Sequence, residues 1–223
     1  MKWSLKREIF SFVIIAIYGI LSICFYPGLP ESVPSHFNKD GLADRYSSKS
    51  LTVLAYPGLA LLLYLILTFI PFIDPFWKKI QKKYSLFLLL RDFILLFFLF
   101  FYLLTLLSAK AGRLPKNVLG VGLGFLFVLV GNYLPKLPRN FFFGIRVPWT
   151  LASETVWRKT HVLSGWIFVI SGILVIIFSL LKINLALSLL VTLVPLFLFS
   201  GYIYPLLLYK KLQKEEKIKA PEL

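Results

Sequence analysis

Six apolar runs, each long enough to cross a bilayer as a helix, constrain this sequence more than any other feature. An α-helix rises about 1.5 Å per residue, so runs of roughly 17 to 27 residues suffice to cross about 30 Å of hydrocarbon. Hydrophobic residues make up 58% of the chain and the mean hydropathy is +0.80, far above a soluble domain. The sequence therefore predicts an all-α integral membrane protein with about six transmembrane helices. The predicted spans are residues 9–26, 51–72, 84–107, 118–134, 162–181 and 183–209.

The lysines and arginines predict which ends of these helices face the cytoplasm, because positive residues concentrate on that side. Placing the amino terminus inside leaves few of the 25 outside. These few are Lys39, Arg45, Lys49, Lys110, Arg113, Lys116 and Lys182. We therefore expect both termini in the cytoplasm, a structured outer loop at residues 27–50 and a structured cytoplasmic connector at residues 135–161. This distribution accounts for the net charge of +15 without direct contact with nucleic acid.

The outer loop carries polar and aromatic residues between prolines. The candidate residues for facing a ligand are His36, Phe37, Asn38, Asp40, Gly41 and Asp44. The spacing of His36, Asn38 and Asp40 is similar to the start of a calcium loop, but histidine is a poor calcium ligand. Ser47 also stands where such a loop needs a bidentate glutamate, so we expect no metal. Two interpretations stay open. One is a turn from Asn38 to Gly41 whose polar residues face water, and the other is an extended segment, held by prolines, that binds a peptide with Phe37 and Tyr46 as aromatic contacts.

The connector before the fifth span begins with turn residues. Gly144 and Pro148 bracket a short extended piece, because a residue before proline avoids the helical region. We expect Thr150 to begin a short amphipathic helix and to cap its first turn. Glu154 and Arg158 are four residues apart, which suits an ion pair on a helix.

Four further connector residues, Arg146, Trp149, Trp157 and His161, are candidates for function. Trp157 and His161 are four residues apart and should share one helix face. One interpretation is anchoring at the membrane interface, since tryptophan favours the headgroup region and basic residues favour anionic lipid. The other is a docking surface or hinge for a cytoplasmic partner.

Glycines and prolines inside the spans predict how the helices pack. Gly120 and Gly124 form a Gly-x-x-x-Gly pair, which allows close approach of a second helix. Pro195 and Pro205 each remove a backbone donor and should kink the sixth span, which Asn184 should cap.

The sequence offers little support for catalysis, so we expect that the protein is not an enzyme and needs no cofactor. It has no Ser-His-acid or Cys-His arrangement on one side of the membrane, no phosphate-binding glycine loop and no pair of carboxylates within the spans. Asp92 beside Arg91 is the charge pair at depth, and we expect Arg91 to reach the cytoplasmic interface by snorkelling. The single cysteine, Cys24, excludes an intrachain disulfide.

The connector also resembles a known protein family. The residues that carry the resemblance are Asn140, Gly144-Ile145-Arg146, Pro148-Trp149-Thr150, Trp157, His161 and Gly165. They are similar to the pattern of the SdpI family of bacterial membrane proteins, named for an immunity protein against a secreted killing toxin. The loop from Leu29 to Asn38, followed by Asp40-Gly41, resembles the amino-terminal domain of unknown function that often precedes that pattern. The resemblance implies an amino-terminal domain at residues 1–80, an SdpI-like four-helix region at 84–209 and a basic tail at 210–223.

The resemblance implies a multi-pass protein of the cell membrane that protects its host from a secreted antimicrobial peptide or protein toxin. The family's type member is associated with holding a transcriptional repressor at the membrane, so a cytoplasmic repressor is an expected partner besides membrane lipid and the toxin. The alternative is a small transporter or lipid-handling protein, with the fourth and sixth spans lining a path. Such a path needs polar residues on one face of several helices, and these spans are almost entirely Leu, Ile, Val and Phe.

Overall fold

The computed structural model describes residues 5–38, 42–114 and 116–219. Within these ranges, six helices are long and apolar enough to cross a membrane, which confirms the predicted all-α fold and number of spans. The six are Lys6–Gly28, Lys49–Ile73, Trp77–Ser108, Asn117–Lys136, Glu154–Leu180 and Leu185–Glu215.

The individual elements divide some of these spans. The helices and strands are α1 Leu5–Phe25, β1 Ser32–Phe37, β2 Ala43–Ser48, α2 Lys49–Phe69, α3 Trp77–Ile80, α4 Tyr84–Ser108, α5 Lys116–Tyr133, α6 Pro148–Ala152, α7 Glu154–Leu180, α8 Leu185–Pro195 and α9 Tyr204–Lys219. Short 3-10 turns lie at Tyr26–Gly28, Ile70–Ile73, Gln81–Lys83 and Leu134–Lys136, and a π-helical segment lies at Leu196–Ile203.

The chain forms two compact units. The first unit comprises the described parts of Met1–Pro71 and Tyr84–Gly122, and the second comprises those of Phe72–Lys83 and Leu123–Leu223. The sequence domains predicted at residues 1–80 and 84–209 stay a prediction.

Three stacked tyrosines lie in the core of the first unit, where α1, α2 and α4 pack against one another. The ring of Tyr102 lies 5.7 Å from that of Tyr18 and 4.6 Å from that of Tyr56. The Tyr18 hydroxyl donates to the Leu95 carbonyl over 2.8 Å, and the Tyr102 and Ser22 hydroxyls are 2.7 Å apart. A polar group inside a membrane protein needs such partners because lipid supplies none.

The outer loop folds into a β-hairpin, which the sequence did not predict. Its strands β1 and β2 are antiparallel, with Ser32 opposite Ser48 and Phe37 opposite Ala43. Val33 is fully buried and belongs to the core of the first unit. The Ala43 amide donates to the Gly112 carbonyl over 2.9 Å, so the hairpin is tied both to the core and to the segment after α4.

Glycines bring α5 and α7 into backbone contact within the second unit. A Cβ atom on Gly124 would lie 2.6 Å from the Gly172 oxygen, and one on Gly131 would lie 2.7 Å from the Gly165 oxygen. The close approach predicted at Gly124 is therefore confirmed. Each helix contributes two glycines seven residues apart, which allows antiparallel helices to meet at two successive points.

The sixth span changes its helical form after Pro195. Asn184 caps α8, as predicted, and its side-chain oxygen accepts from the Leu187 amide over 3.2 Å. The π-helical segment follows Pro195 directly, where proline supplies no backbone donor. The Ser200 hydroxyl in this segment donates to the Leu196 carbonyl over 2.7 Å.

Candidate functional site

The hairpin presents an exposed polar surface. The His36 imidazole donates from Nδ1 to Asp44 Oδ1 over 2.6 Å, and both side chains are largely exposed. The hydrogen bond from His36 lowers the pKa of the Asp44 carboxyl below its ordinary value. Tyr46, on the second strand, is 54% exposed, so this surface combines an ionisable pair with a free aromatic ring. Tyr46 is one of the two aromatic residues that the sequence indicated as contacts for a bound peptide.

Two of the remaining predicted loop residues, Phe37 and Asn38, are part of the hairpin structure. Phe37 is half-buried at the end of β1. Asn38 closes the hairpin: its side-chain oxygen accepts from the Leu42 amide over 3.1 Å, and its own amide donates to the Leu42 carbonyl over 2.9 Å. Asp40 and Gly41 lie outside the described residues.

Asn140 organises the first turn of the connector. Its side chain is fully buried and makes four hydrogen bonds, which satisfy both its amide nitrogen and its oxygen. It donates to the Pro138 and Phe143 carbonyls, and it accepts from the Phe142 and Phe143 amides. Because every contact is with backbone, Asn140 fixes the shape of this turn and has no donor left for a ligand.

Asp74 supports the same turn from a distant part of the sequence. Its Oδ2 accepts from the Phe141 amide over 2.7 Å and its Oδ1 from the Phe76 amide over 2.7 Å. The rings of Phe76 and Phe141 stack 5.4 Å apart. The contact spans 67 residues, so no local pattern in the sequence could have indicated it.

His161 holds the second turn of the connector. Its Nε2 accepts from the Ile145 amide over 3.0 Å, and its Nδ1 donates to the Trp157 carbonyl over 2.8 Å. The neutral imidazole with its hydrogen on Nδ1 makes both of these hydrogen bonds, so neither ring nitrogen is free. Gly144 lies against the ring with φ of +99°, and a Cβ atom there would be 2.3 Å from Nε2. Glycine is thus required here both by backbone conformation and by lack of space.

Trp157 is buried beneath the connector. Its ring stacks on His161 with centroids 4.0 Å apart, which confirms that the two residues share one helix face. The indole Nε1 donates to the Leu137 carbonyl over 2.9 Å, and the side chain is only 1% exposed. Anchoring of Trp157 at the membrane interface is therefore excluded.

The short helix predicted in the connector is present, and the Thr150 hydroxyl accepts from a free amide at its start as predicted, but Thr150 does not begin the helix and the helix does not run on into the fifth span. The short helix α6 begins at Pro148, so Thr150 lies inside its first turn, where its hydroxyl accepts from the Val147 amide over 3.1 Å. This helix ends at Ala152, and Ser153 caps a new helix, α7, which continues as the fifth span.

The predicted ion pair between Glu154 and Arg158 is also wrong. Glu154 pairs instead with Lys79, and with Arg139 over 3.6 Å. Arg139 also lies over the Phe76 ring at 4.5 Å. Both partners lie outside α7, so the four-residue spacing of Glu154 and Arg158 did not determine which residue Glu154 pairs with.

The remaining motif residues are of three kinds. Arg146 is exposed and donates to the Phe141 carbonyl over 2.6 Å. Trp149 is half-buried, with its ring edge-on to Tyr202 at 5.0 Å. Gly165 serves the close approach of α5 and α7 described above. Of the predicted connector residues, Gly144, Arg146 and Pro148 are exposed and Trp149 is half-buried, so Arg146 and Trp149 are the ones with a large side chain that can contact a partner.

A buried charged cluster lies in the first unit. Arg91 is 0% exposed, and its Nη1 donates to Glu8 Oε2 and to Thr68 Oγ1, each over 2.8 Å. Its Nε donates to Asp92 Oδ1 over 3.0 Å, and its Nη2 donates to the Ser11 hydroxyl. Ser11 in turn donates to Asp92 Oδ1 over 2.7 Å. One guanidinium therefore joins side chains from α1, α2 and α4.

The cluster corrects two predictions. Arg91 does not snorkel to the interface, because its charge is neutralised where it lies and the Tyr64 ring covers it at 4.8 Å. A pair of carboxylates also does lie within the spans, since Glu8 and Asp92 are both buried there. Glu8 was missed because it precedes the first apolar run, whereas the helix already begins at Leu5.

Within the described ranges, no group of three or more His, Cys, Asp or Glu side chains is placed to hold a metal ion.

The six apolar helices define a multi-pass helical protein of the cell membrane. Residues 136–209 match the SdpI/YfhL protein family, and residues 13–61 match the domain of unknown function DUF1648. These two matches confirm the resemblance seen in the sequence. It is 27% identical over 209 residues to the Immunity protein SdpI of Bacillus subtilis (strain 168), an alignment that covers 93% of this chain and 98% of that protein. No solved structure matches the chain.

Proposed function

We propose that this protein is a membrane immunity protein that protects its host from a secreted antimicrobial peptide or protein toxin. The observation that carries the proposal is the similarity to Immunity protein SdpI over almost the full length of both chains. The similarity extends through both the hairpin and the connector, so the relative should share both surfaces.

We propose further that the toxin meets the hairpin. His36, Asp44 and Tyr46 are exposed on paired strands, so their positions are set before any ligand arrives. Binding to such a preorganised surface costs little ordering entropy, and a few side chains can then supply most of the specificity. The exposed aromatic ring and the ionisable pair suit a peptide that carries both apolar and charged residues.

Expression of hairpin variants in a sensitive bacterium tests this assignment. We expect His36→Ala combined with Tyr46→Ala to abolish protection against the cognate toxin while the amount of protein in the membrane stays unchanged. Val33→Ala, a matched change on the buried side of the hairpin, should lower protein amount and protection together. Full protection by the His36 and Tyr46 variant would exclude the hairpin as the toxin-binding surface.

The proposal needs the hairpin outside and the connector inside the cell, as the distribution of lysine and arginine predicts. Single cysteines at Ser35 and Lys159, both exposed, test this in a Cys24→Ala background. We expect a membrane-impermeant thiol reagent applied to intact cells to label the cysteine at Ser35 and not the one at Lys159. The reverse labelling would contradict the orientation and the toxin assignment with it.

The exposed side of the connector is the proposed contact for a cytoplasmic repressor. Arg146, Arg158 and Lys159 are exposed there, and within the described residues none of them forms an ion pair. Such a basic surface suits an acidic partner. We expect Arg158→Glu combined with Lys159→Glu to remove the transcriptional response to the toxin and to leave protection intact. An unchanged response would exclude this surface.

The alternative of a small transporter has one observation in its favour, the buried cluster of Glu8, Arg91 and Asp92. Charged residues within a span are frequent parts of transport paths. In this protein, however, the Arg91 donors are taken up by four side chains from three helices, which is the arrangement expected of a structural contact.

A further inference from the structure

A half-open cleft in the first unit has no part in the function proposed above. It lies between the ends of α1 and α4 and has a volume of about 360 Å³. Its walls are Cys24, Phe25, Gly28, Leu29, Leu106, Leu107 and Lys110. All but the last are apolar or small, so the cleft suits a hydrocarbon chain.

Lys110 lies at the mouth of this cleft. It is exposed, and within the described residues it forms no ion pair. Its Nζ atom lies 4.0 Å from the position that a Cβ atom on Gly28 would take. The candidate span ends at Ser108, two residues earlier, so we expect the ammonium group near the polar boundary of the membrane.

We propose that this cleft holds one phospholipid, with an acyl chain along the apolar walls and the phosphate on Lys110. An unpaired ammonium group above an apolar groove is complementary to an anionic headgroup joined to a hydrocarbon chain. Cys24 is exposed and Leu107 is 59% exposed on helices that cross the membrane, so lipid is the molecule that already surrounds the opening.

The bound lipid would also support the hairpin. Gly112, two residues after Lys110, accepts a hydrogen bond from the Ala43 amide over 2.9 Å, and Arg113 forms a β-bridge with Leu42. A phosphate bound to Lys110 therefore restrains residues 110–113, which contact the start of β2 through these two interactions. This inference does not depend on the toxin assignment, because the lipid is bound whether or not the hairpin meets a toxin.

Cys24 gives a direct test, since it is the single cysteine of the chain and lines the cleft. The rate at which a maleimide alkylates Cys24 is measured in detergent with added phosphatidylglycerol, phosphatidylcholine, diacylglycerol or inorganic phosphate. We expect both phospholipids to slow alkylation several-fold, diacylglycerol to slow it much less and inorganic phosphate to have no effect. Equal slowing by diacylglycerol would overturn the phosphate contact, and no slowing by any lipid would overturn the site.

Three variants separate the lipid site from a general effect of detergent or folding. Lys110→Met keeps the length of the side chain and should lose the slowing, whereas Lys182→Met, at another exposed lysine, should keep it. Gly28 does not have a positive φ, so Gly28→Leu should fold, fill the cleft and slow alkylation without lipid. An unchanged lipid effect in both Lys110→Met and Gly28→Leu would refute the proposal.

Hydrogen exchange at the Ala43 amide tests the link to the hairpin. Phosphatidylglycerol should slow this exchange in the parent protein and not in Lys110→Met. A secreted peptide that slows Cys24 alkylation when phospholipid does not would assign the cleft to the toxin and overturn the lipid proposal.

Discussion

Replacing Arg91 with methionine should destabilise the protein more than any other single arginine replacement in its described part. The change removes the cation that neutralises Glu8 and Asp92, whose side chains are 3% and 9% exposed. It also removes the donors to Thr68 and Ser11. Breaking a buried ion pair by deleting one partner costs about 3–5 kcal/mol, because the other charge stays buried without compensation. Two carboxylates are left here, so we expect a loss at the upper end of that range.

The free energy of unfolding can be measured by titrating the purified protein from mild detergent into sodium dodecyl sulfate and following tryptophan fluorescence. A loss of about 5 kcal/mol changes the unfolding equilibrium by several thousandfold, which shifts the midpoint well beyond experimental scatter. Arg158→Met is the matched control, since Arg158 is exposed and its replacement should change stability by about 0.5 kcal/mol or less.

Charge removal at the partners separates electrostatics from lost packing. Adding Glu8→Gln and Asp92→Asn to Arg91→Met leaves no buried ionised group among these three residues, so the triple variant should be more stable than Arg91→Met alone. If the triple variant is no more stable, or if Arg91→Met behaves like Arg158→Met, then the cluster does not stabilise the fold in the manner argued.

Two further predictions concern the connector and the hairpin. Gly144→Ala should cost more than about 2 kcal/mol, because its φ is unfavourable and the new methyl group would overlap His161, whereas Gly112→Ala, with φ of +61° and no atom within 4 Å, should cost about 1 kcal/mol. Equal losses in thermal unfolding would show that contact with His161 adds nothing. Since the hydrogen bond from His36 lowers the pKa of Asp44, its contribution is present above the ordinary aspartate pKa and is lost as pH falls through the lowered value. The protection of the hairpin amides, measured as their exchange rate relative to that of an unfolded chain at the same pH, should therefore fall below about pH 4 in the parent protein and lose that dependence in Asp44→Asn.

The six spans could be predicted because membrane insertion depends on a property that each segment carries by itself, its hydropathy. The hairpin could not be predicted in this way. Pro34 within β1 removes a backbone donor, and strand patterns interrupted by proline argue against a strand. What holds the hairpin is burial of Val33 and the bond from Ala43 to Gly112, both of which depend on tertiary structure.

The same distinction explains which site contacts were found. The shared helix face of Trp157 and His161, where their rings stack, follows from a four-residue spacing and was predicted correctly. The contact of Arg91 with Glu8 joins residues 83 positions apart, and that of Lys79 with Glu154 joins residues 75 apart. A single sequence shows the presence of such charges but not which of them meet.

The most informative remaining experiment exchanges segments between this protein and the Bacillus subtilis relative. The side chains of Asn140, Thr150 and His161 form hydrogen bonds with the backbone of the connector, so the family pattern there reflects a shared local structure. Few of its polar groups are left to contact a toxin. The exposed side chains of the hairpin do not hold the backbone in this way, so they can differ between relatives that bind different toxins. We therefore expect a chimera that carries residues 32–48 of this protein in the relative to protect against the toxin of this protein. Exchange of residues 138–161 should leave the protected toxin unchanged. If specificity instead follows the connector while both chimeras reach the membrane in equal amounts, the toxin is recognised by the connector and the hairpin is only structural.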